Sequence, residues 1–401
     1  MRSHIVKEND FNRVIYIMSA AFRIRDNHTL DYAIQKSKQS NVDLEIIVLD
    51  KLENGRNDKF FINGTKDLVE KLSIFSNKVS RVSSLKGISL ENSYVFKDKG
   101  YLKEERRIDD YLMKYDIGLE FVETNVLVPV QVASKKEEYA ARTIRKKIWD
   151  KVLSYTDQVH SDVFTRGETE AYGKLQKFID ERLPFYTERN NPKHIVTSEL
   201  SPYLKYGFIS PLTIYVEICK LANSDNKEEF LDEVIIRREL AHNFIYYNSK
   251  YDEFDGITYD WAYETMENHI EDRRRYLYKL ADYEQYKTHD IYFNTAMKEM
   301  IHFGTMHTYM RMYWAKKIIE WSQTYKEAYE TAVYLNNKYF LDGNTPNGYT
   351  GVAWCFGKHD HGWKEREIFG KLRYMNDSGL KRKFNMNDYI DRVDRRLYEK
   401  A

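Results

Sequence analysis

The sequence predicts an α/β N-terminal domain, built on a Rossmann-like parallel sheet of reduced size, followed by an all-α domain. Three observations carry this. Short apolar runs rich in β-branched residues alternate with helical patterns early in the chain. No hairpin turn separates the first two runs, which favours parallel pairing. From about Glu137 helical periodicity takes over and continues to the end. The expected extents are 1–135 for the α/β domain, 136–170 for a connecting helix and linker, and 171–401 for the helical domain.

In chain order, "RVIYIM" is the first strand, a short apolar run with β-branched residues. "DNHTLDYAIQKSKQS" follows as a helix that Asp26 or Asn27 can cap, with Leu30, Ala33 and Ile34 on one side. "DLEIIVLD" is a second strand, and "GLEFVETNVLVPV" holds at least one more. No glycine fingerprint for dinucleotides follows the first strand, so the fold alone assigns no ligand there. "EEYAARTIRKKIWDK" is a strong helix, and the polar stretch "SYTDQVHSDVFTRGETEA" suits a linker.

With 401 residues, 42% of them apolar, the chain can bury a substantial core. Its 33 tyrosines and 20 phenylalanines against 6 prolines suggest long helices with large amphipathic rings between them. Lys plus Arg (63) nearly cancels Asp plus Glu (62), so global charge steers toward no partner and any basic surface must be local. Cys219 and Cys355 make neither a disulfide framework nor a metal cluster. The charged start "MRSHIVKENDFNR" lacks the apolar run of a signal peptide, and no stretch has the length of a membrane span. A soluble, cytoplasmic protein without a metal is expected.

Five segments carry chemistry. In "TSELSPYLKYGFISP", Ser198 and Ser201 precede a helix; such hydroxyls suit an anionic group, although a plain helix cap uses the same residues. "DEVIIRRELAHNFIYYN" places Glu233, Arg237, Arg238 and Glu239 on one helix, with Glu233 and Arg237 able to pair along a face. In "MHTYMRMYWAKKIIEW", Trp314 and Trp321 are seven residues apart. Seven residues return almost to the same azimuth and rise roughly 10 Å, a range for electron hopping between indoles. Core packing produces the same stripe. "LNNKYFLDGNTPNGYTGVAWCFGKHDHGW" is a turn-rich stretch dense in amides and aromatics, the texture of a site-lining loop. From Trp363 onward there are 11 Lys/Arg against 7 Asp/Glu, and Lys381, Arg382 and Lys383 beside aromatics suit a phosphate backbone.

Together, "VASKKEEYAARTIRKK", "SELSPYLKYG", "RRELAHNF", "MHTYMRMYWAKKIIEW", "LNNKYFLDGNTPNGYTG" and "GKHDHGWKEREIFGKLRYMNDSGLKRKF" resemble the class II cyclobutane pyrimidine dimer photolyases in content, order and spacing. The likeness covers most of 132–384 and, more weakly, "YIMSAAFRIRDNHTL", which resembles the family's first strand and helix. It implies a monomeric flavoenzyme of DNA repair whose helical domain holds a U-shaped FAD. Excited, fully reduced flavin passes an electron to a cyclobutane dimer flipped out of UV-damaged DNA; the ring splits and the electron returns. A damaged, badly stacked pair costs less to flip, which itself gives selectivity.

By position, the resemblance assigns Tyr186, Thr197, Ser198, Leu200 and Ser201 to the FAD phosphates and Arg238 to cofactor binding. Arg311 and Asp342 look like the buried pair beneath the isoalloxazine. Asn336 matches the asparagine facing flavin N5, with Asn347 nearby in the same loop; an amide there can accept from a reduced, protonated N5. Glu233 is similar to the acid that hydrogen-bonds the dimer, a role that calls for a carboxyl kept protonated by burial. Met312 and Trp354 look like apolar walls of the dimer pocket. His361, Trp363 and Arg373 match positions that fill the hole left by the lesion and grip its strand, with Arg237 and Lys381 as further DNA contacts.

Trp314 and Trp321 then resemble two members of a tryptophan chain that reduces resting flavin with light. The third position is Phe293, far harder to oxidise, so the wire is interrupted; Tyr292 beside it, or another tyrosine, is expected to substitute with loss of a proton. Repair from flavin that is already reduced does not need the wire. The first domain departs from the family: it is shorter between "IIVLD" and "TNVLVP", and Gln131 replaces the usual Trp. Whether it holds the family's antenna chromophore, of the deazaflavin type, stays open. A light receptor or redox enzyme on the same fold is the rival that the altered wire favours. A non-catalytic DNA-binding protein is disfavoured, because the Asn336, Asp342 and Arg311 set is useless without flavin.

Overall fold

The RVIYIM run is strand β2 (Arg13–Met18) of a six-stranded sheet that also contains β1 (Ser3–Lys7), β3 (Asp43–Leu49), β4 (Lys78–Val82), β5 (Ser93–Asp98) and β6 (Gly118–Val122). The order is β1-β6-β5-β2-β3-β4. In this computed structural model, which describes residues 2–53 and 55–400, the chain divides into two compact units: Met1–Glu181 with Ser198–Tyr246, and Arg182–Thr197 with Tyr247–Ala401.

The sheet belongs to the first unit. β2 pairs parallel with both β3 and β5, as the strand–helix–strand pattern requires, and Val14 through Met18 are fully buried. A parallel strand covered on both faces reads as a continuous apolar run. The sheet is not wholly parallel. β1 pairs antiparallel with β6 at the edge, where Ile5 and Val6 stay exposed, so the charged first residues give no burial pattern by which to find a strand. β4 is a short polar edge strand, KVSRV, invisible for the same reason.

The end of β2 bears on ligands. The backbone N–H groups of Ser19, Ala20 and Ala21 all donate to Asp98 Oδ2, at 3.0, 2.9 and 3.0 Å. In nucleotide-binding sheets this turn holds phosphate; here the chain's own carboxylate fills it. The helix His28–Ser40 follows, capped by Asn27, whose side chain accepts from Leu30 N at 3.0 Å. The 154–171 stretch starts in the 3-10 turn Leu153–Tyr155, is irregular up to Thr165 and then enters the helix Arg166–Glu181.

One glycine fixes the segment after Ser201 to this sheet. Gly207 has φ +63°, and a Cβ there would lie 2.3 Å from the Ala20 carbonyl oxygen. Its own carbonyl accepts from the fully buried Arg23 Nη1 at 2.9 Å, and Phe22 N donates to Tyr206 O at 3.2 Å.

In the second unit the helices Ile291–Phe303, Thr308–Trp321, Tyr325–Tyr339 and Pro346–Cys355 pack each against the next, and Met386–Lys400 packs on the first. Thr308–Trp321 is buried nearly all round, as a central helix must be. Two carboxylates tie the bundle. Asp290 caps its helix by accepting from Tyr292 N and Phe293 N, and it also accepts from the Tyr313 hydroxyl. Glu299 accepts from Arg392 at 2.9 Å, Arg396 at 3.3 Å and the Tyr389 hydroxyl at 3.0 Å, partners without which a buried charge would be costly. Among the described residues no helix is long and apolar enough to cross a membrane.

Candidate functional site

The first unit supplies hydroxyls and a buried guanidinium. The plain-cap reading of Ser198 and Ser201 does not hold. The short helix Ser201–Lys205 has Leu200 at its N-cap with no side-chain cap, Ser198 Oγ accepts only a 3.4 Å bond from Leu200 N, and Ser201 is exposed. Glu199 between them is held at φ +58° and pairs with Lys174 at 3.1 Å. The hydroxyls are therefore not consumed by the helix. Arg238 opens the helix Arg238–Tyr247 and is buried, yet its Nη1 makes no hydrogen bond among the described residues and lies 3.8 Å from Glu239 Oε1. An orphaned buried guanidinium N–H is costly unless an anion meets it, which fits an anionic cofactor.

Glu233 corrects one expectation. It lies in a π-helical turn, Asp232–Arg237, with its side chain 35% exposed and paired to Arg237 Nε at 3.1 Å. The full burial expected of it is absent: the side chain is partly open and an adjacent cation pairs with it. Arg237 is shared with Asp232 at 3.5 Å and is itself half exposed.

Of the residues in the second unit that the resemblance assigns to a cofactor, Tyr186 is buried in the 3-10 turn Leu183–Glu188 with Arg189 stacked 4.9 Å over its ring. The Thr197 carbonyl accepts from Arg182 Nη1 at 3.0 Å. Arg311 and Asp342 do pair, at 2.7 Å, though they are half-buried (29% and 16% exposed) rather than enclosed. The guanidinium also lies 3.8 Å over the ring of Phe340, which nothing in its local spacing distinguishes among so many aromatics.

The loop after Asn336 is built around amides. Asn336 is buried and donates to Asn337 Oδ1 at 2.9 Å; Asn337 in turn accepts from Asn344 N and donates to the Tyr349 hydroxyl. A Cβ at Gly348 would come within 2.9 Å of Asn336 Nδ2, so the glycine lets Asn336 sit against the first turn of Pro346–Cys355. Asn347 is exposed on that same turn. Asn336, Asp342 and Arg311 are thus brought into one region of the unit.

At the far end of the Pro346–Cys355 helix stands a layered stack. Arg373 lies 5.2 Å over Trp354 and 5.0 Å over Trp363, and His361 stacks on Trp363 at 4.9 Å and 27°. Trp363 is 40% exposed and is fixed by an indole N–H to Asp360 at 3.2 Å and by its backbone N–H to Lys371 O at 2.8 Å. An exposed layer of aromatic faces and one planar cation is a platform for bases and phosphates. Met312 is half-buried on its helix, and Lys381 is exposed beside Asp377 at 3.1 Å. Lys316 was not foreseen, although a lysine inside the apolar run YWAKKII was a signal. It is fully buried, donates to the Cys355 carbonyl at 2.5 Å, and burial pulls it down to about 8. It ties the Trp314 helix to the end of the helix carrying Trp354.

Trp314 and Trp321 are both buried on one stripe. Trp314 donates its indole N–H to the sulfur of Met297 at 3.1 Å, and Trp321 meets the ring of Phe293 at 5.2 Å.

No family model matches the chain. It is similar to several proteins named deoxyribodipyrimidine photo-lyase. The one from Methanothermobacter thermautotrophicus is 38% identical over 95% of this chain and 94% of the relative. The one from Arabidopsis thaliana is 35% identical over 95% of this chain and 88% of the relative. Among solved structures, a bacterial class III photolyase from Agrobacterium tumefaciens superposes with a TM-score of 0.71 at 16% identity, covering 97% of this chain and 87% of that one. A cryptochrome from Synechocystis sp. PCC6803 gives 0.71 at 14% identity, covering 96% and 89%. At such identities the structures show a shared fold.

Proposed function

This chain belongs to the deoxyribodipyrimidine photo-lyase family, and on that premise we propose that it is a carbon–carbon lyase of the class II kind that uses FAD and light to reopen cyclobutane pyrimidine dimers in DNA. The observation that carries the reading is the Trp354–Arg373–Trp363–His361 stack, an exposed aromatic and cationic surface that packing does not require and that a light receptor or redox enzyme would not need.

The roles follow from the residues. Arg238, with its unsatisfied Nη1, and the uncommitted hydroxyls of Ser198 and Ser201 hold the FAD phosphates, together with Tyr186, Thr197 and Leu200. Arg311, Asp342, Asn336 and Asn347 hold the ring. FAD bound in its fully reduced state supplies, under light, the electron that opens the cyclobutane ring. Trp354 and Met312 wall the dimer; Trp363, His361 and Arg373 occupy the gap in the duplex, and Arg237 and Lys381 meet phosphates. Glu233, partly exposed and paired to Arg237, meets the dimer. The 1–135 region is the antenna-type domain, 136–170 the connection and 171–401 the catalytic domain, and the protein works as a cytoplasmic monomer.

The test is repair of a thymine dimer oligonucleotide by protein whose flavin is chemically reduced beforehand, in light and in the dark. Restoration of intact thymines only in light is the expected result. Flavin-loaded protein with no light-dependent repair would move the chain to a receptor or redox role, and protein unable to take up FAD would remove the mechanism.

A further inference from the structure

We propose that Tyr278, with His289 as its proton acceptor, is the outer redox-active residue of the aromatic chain that begins at Trp314 and Trp321. The inference rests on the flavin reading above and assigns the residue that ends the wire.

The geometry is specific to Tyr278. Its ring meets Trp321 edge-on at 5.4 Å, and its backbone N–H donates to the Trp321 carbonyl at 3.2 Å, so the two residues are held together through main chain. Its hydroxyl lies 2.8 Å from His289 Nδ1, while the backbone N–H of the same histidine donates to the phenol oxygen at 3.0 Å. With the imidazole proton on Nε2, Nδ1 is an acceptor and the phenol O–H donates to it. The distance is within reach for proton transfer. His289 is exposed, stacks on Tyr278 at 5.9 Å and on Tyr276 at 3.8 Å, and can pass the proton to water.

The other tyrosines near the break lack this arrangement. Tyr292, the neighbour of Phe293, makes no ring contact with either tryptophan among the described residues; it faces Lys381 at 5.7 Å. Tyr283 touches Phe293 at 5.3 Å, but its hydroxyl is buried without a basic hydrogen-bond partner among the described residues, and burial raises its pKa. A phenol that cannot lose its proton is a poor electron donor. Lys317 Nζ sits 5.4 Å over Trp321, which disfavours a positive charge resting there even though Glu320 pairs with the amine at 2.6 Å.

The step balances. The oxidant would be the indole radical cation of Trp321, which an excited oxidised flavin, when bound, would leave by drawing an electron through Trp314. One electron passes from Tyr278 to Trp321, the phenol O–H bond breaks, and the proton goes to His289 Nδ1. Trp321 returns to neutral indole, Tyr278 becomes a neutral tyrosyl radical, and the imidazolium releases its proton to solvent. A small thiol reductant from solution then reduces the exposed end.

The experiment is a blue flash on the flavin-loaded, oxidised protein and on its Phe293→Trp form, followed by transient absorption and electron paramagnetic resonance. A tyrosyl radical is expected, with a deuterium isotope effect on its formation. It is lost in Tyr278→Phe, where the Trp radical cation instead persists, and in His289→Gln the isotope effect disappears. Tyr292→Phe and Tyr283→Phe leave it intact. Repair by protein reduced beforehand stays unchanged in every variant, which separates the wire from folding and from the repair reaction. A tyrosyl radical surviving in Tyr278→Phe, or none in either parent protein, overturns the proposal while leaving repair untouched; absence of repair in the reduced parent would instead strike the functional reading beneath it.

Discussion

Arg311 and Asp342, 31 residues apart in sequence, close an ion pair at 2.7 Å while the guanidinium rests on Phe340 at 3.8 Å. The pair lies on the neighbouring turn from Trp314, so a charge placed on the apolar Thr308–Trp321 helix is compensated from the asparagine-rich loop. Removing the carboxylate leaves Arg311 half-buried and unmatched. Asp342→Asn is expected to weaken FAD retention by roughly tenfold, corresponding to about 1–2 kcal/mol, measured by flavin release on dilution.

The layered position of Arg373 gives a second expectation. Arg373→Ala removes a planar cation from between two indoles and should raise the Kd for dimer-containing DNA by one to two orders of magnitude, about 1–3 kcal/mol. The salt slope of log K should fall by about 1. Arg373→Lys keeps the charge but not the planar face, so it should restore the slope without restoring the affinity. Titrations at several salt concentrations separate the two.

Phe293, whose ring meets Trp321 at 5.2 Å, stands where the resemblance expects a third tryptophan. Phe293→Trp should speed flavin photoreduction by at least about tenfold, the factor that 1.4 kcal/mol of barrier represents, and should leave repair by pre-reduced protein unchanged. The site is fully buried, so the larger ring should also cost about 1–3 kcal/mol of stability from overpacking. Photoreduction under continuous blue light and urea unfolding read the two effects independently.

Burial pushes Glu239 up from 4.5 to about 7, against the opposing pull of Arg238 and of its hydrogen bond from Leu127 N. A carboxyl raised in the folded state favours folding below its unfolded value, and that contribution is lost as pH rises through the folded one. Stability should therefore decline between pH 4.5 and 7 by up to about 3 kcal/mol from this group. Glu239→Gln has no charge to desolvate. Its urea midpoint should differ little from the parent at pH 4.5 and exceed it at pH 8.

Local spacing was enough to find β2, β3, β6, the helical remainder and the family, because a buried parallel strand and an amphipathic helix each write their burial into it; the central strand SYVFKD, whose apolar run Tyr94–Phe96 is only three residues long, was not picked out. RVIYIM and DLEIIVL are apolar since both faces of the sheet are covered. The edge strands SHIVK and KVSRV were not legible, since a strand with one exposed side and few apolar residues has no pattern of its own. The residues proposed for the site stood out by type and order, as with Arg311, Asp342, Trp354 and Arg373. What they touch was not. Only the folded chain puts Phe340 under Arg311, Lys316 against the Cys355 carbonyl, a partly exposed Glu233 beside Arg237, and His289 against the Tyr278 hydroxyl. Spacing along a chain encodes which face of an element is buried; hydrogen bonds, ring stacking and desolvation depend on separations between elements, and those are settled only when the elements pack.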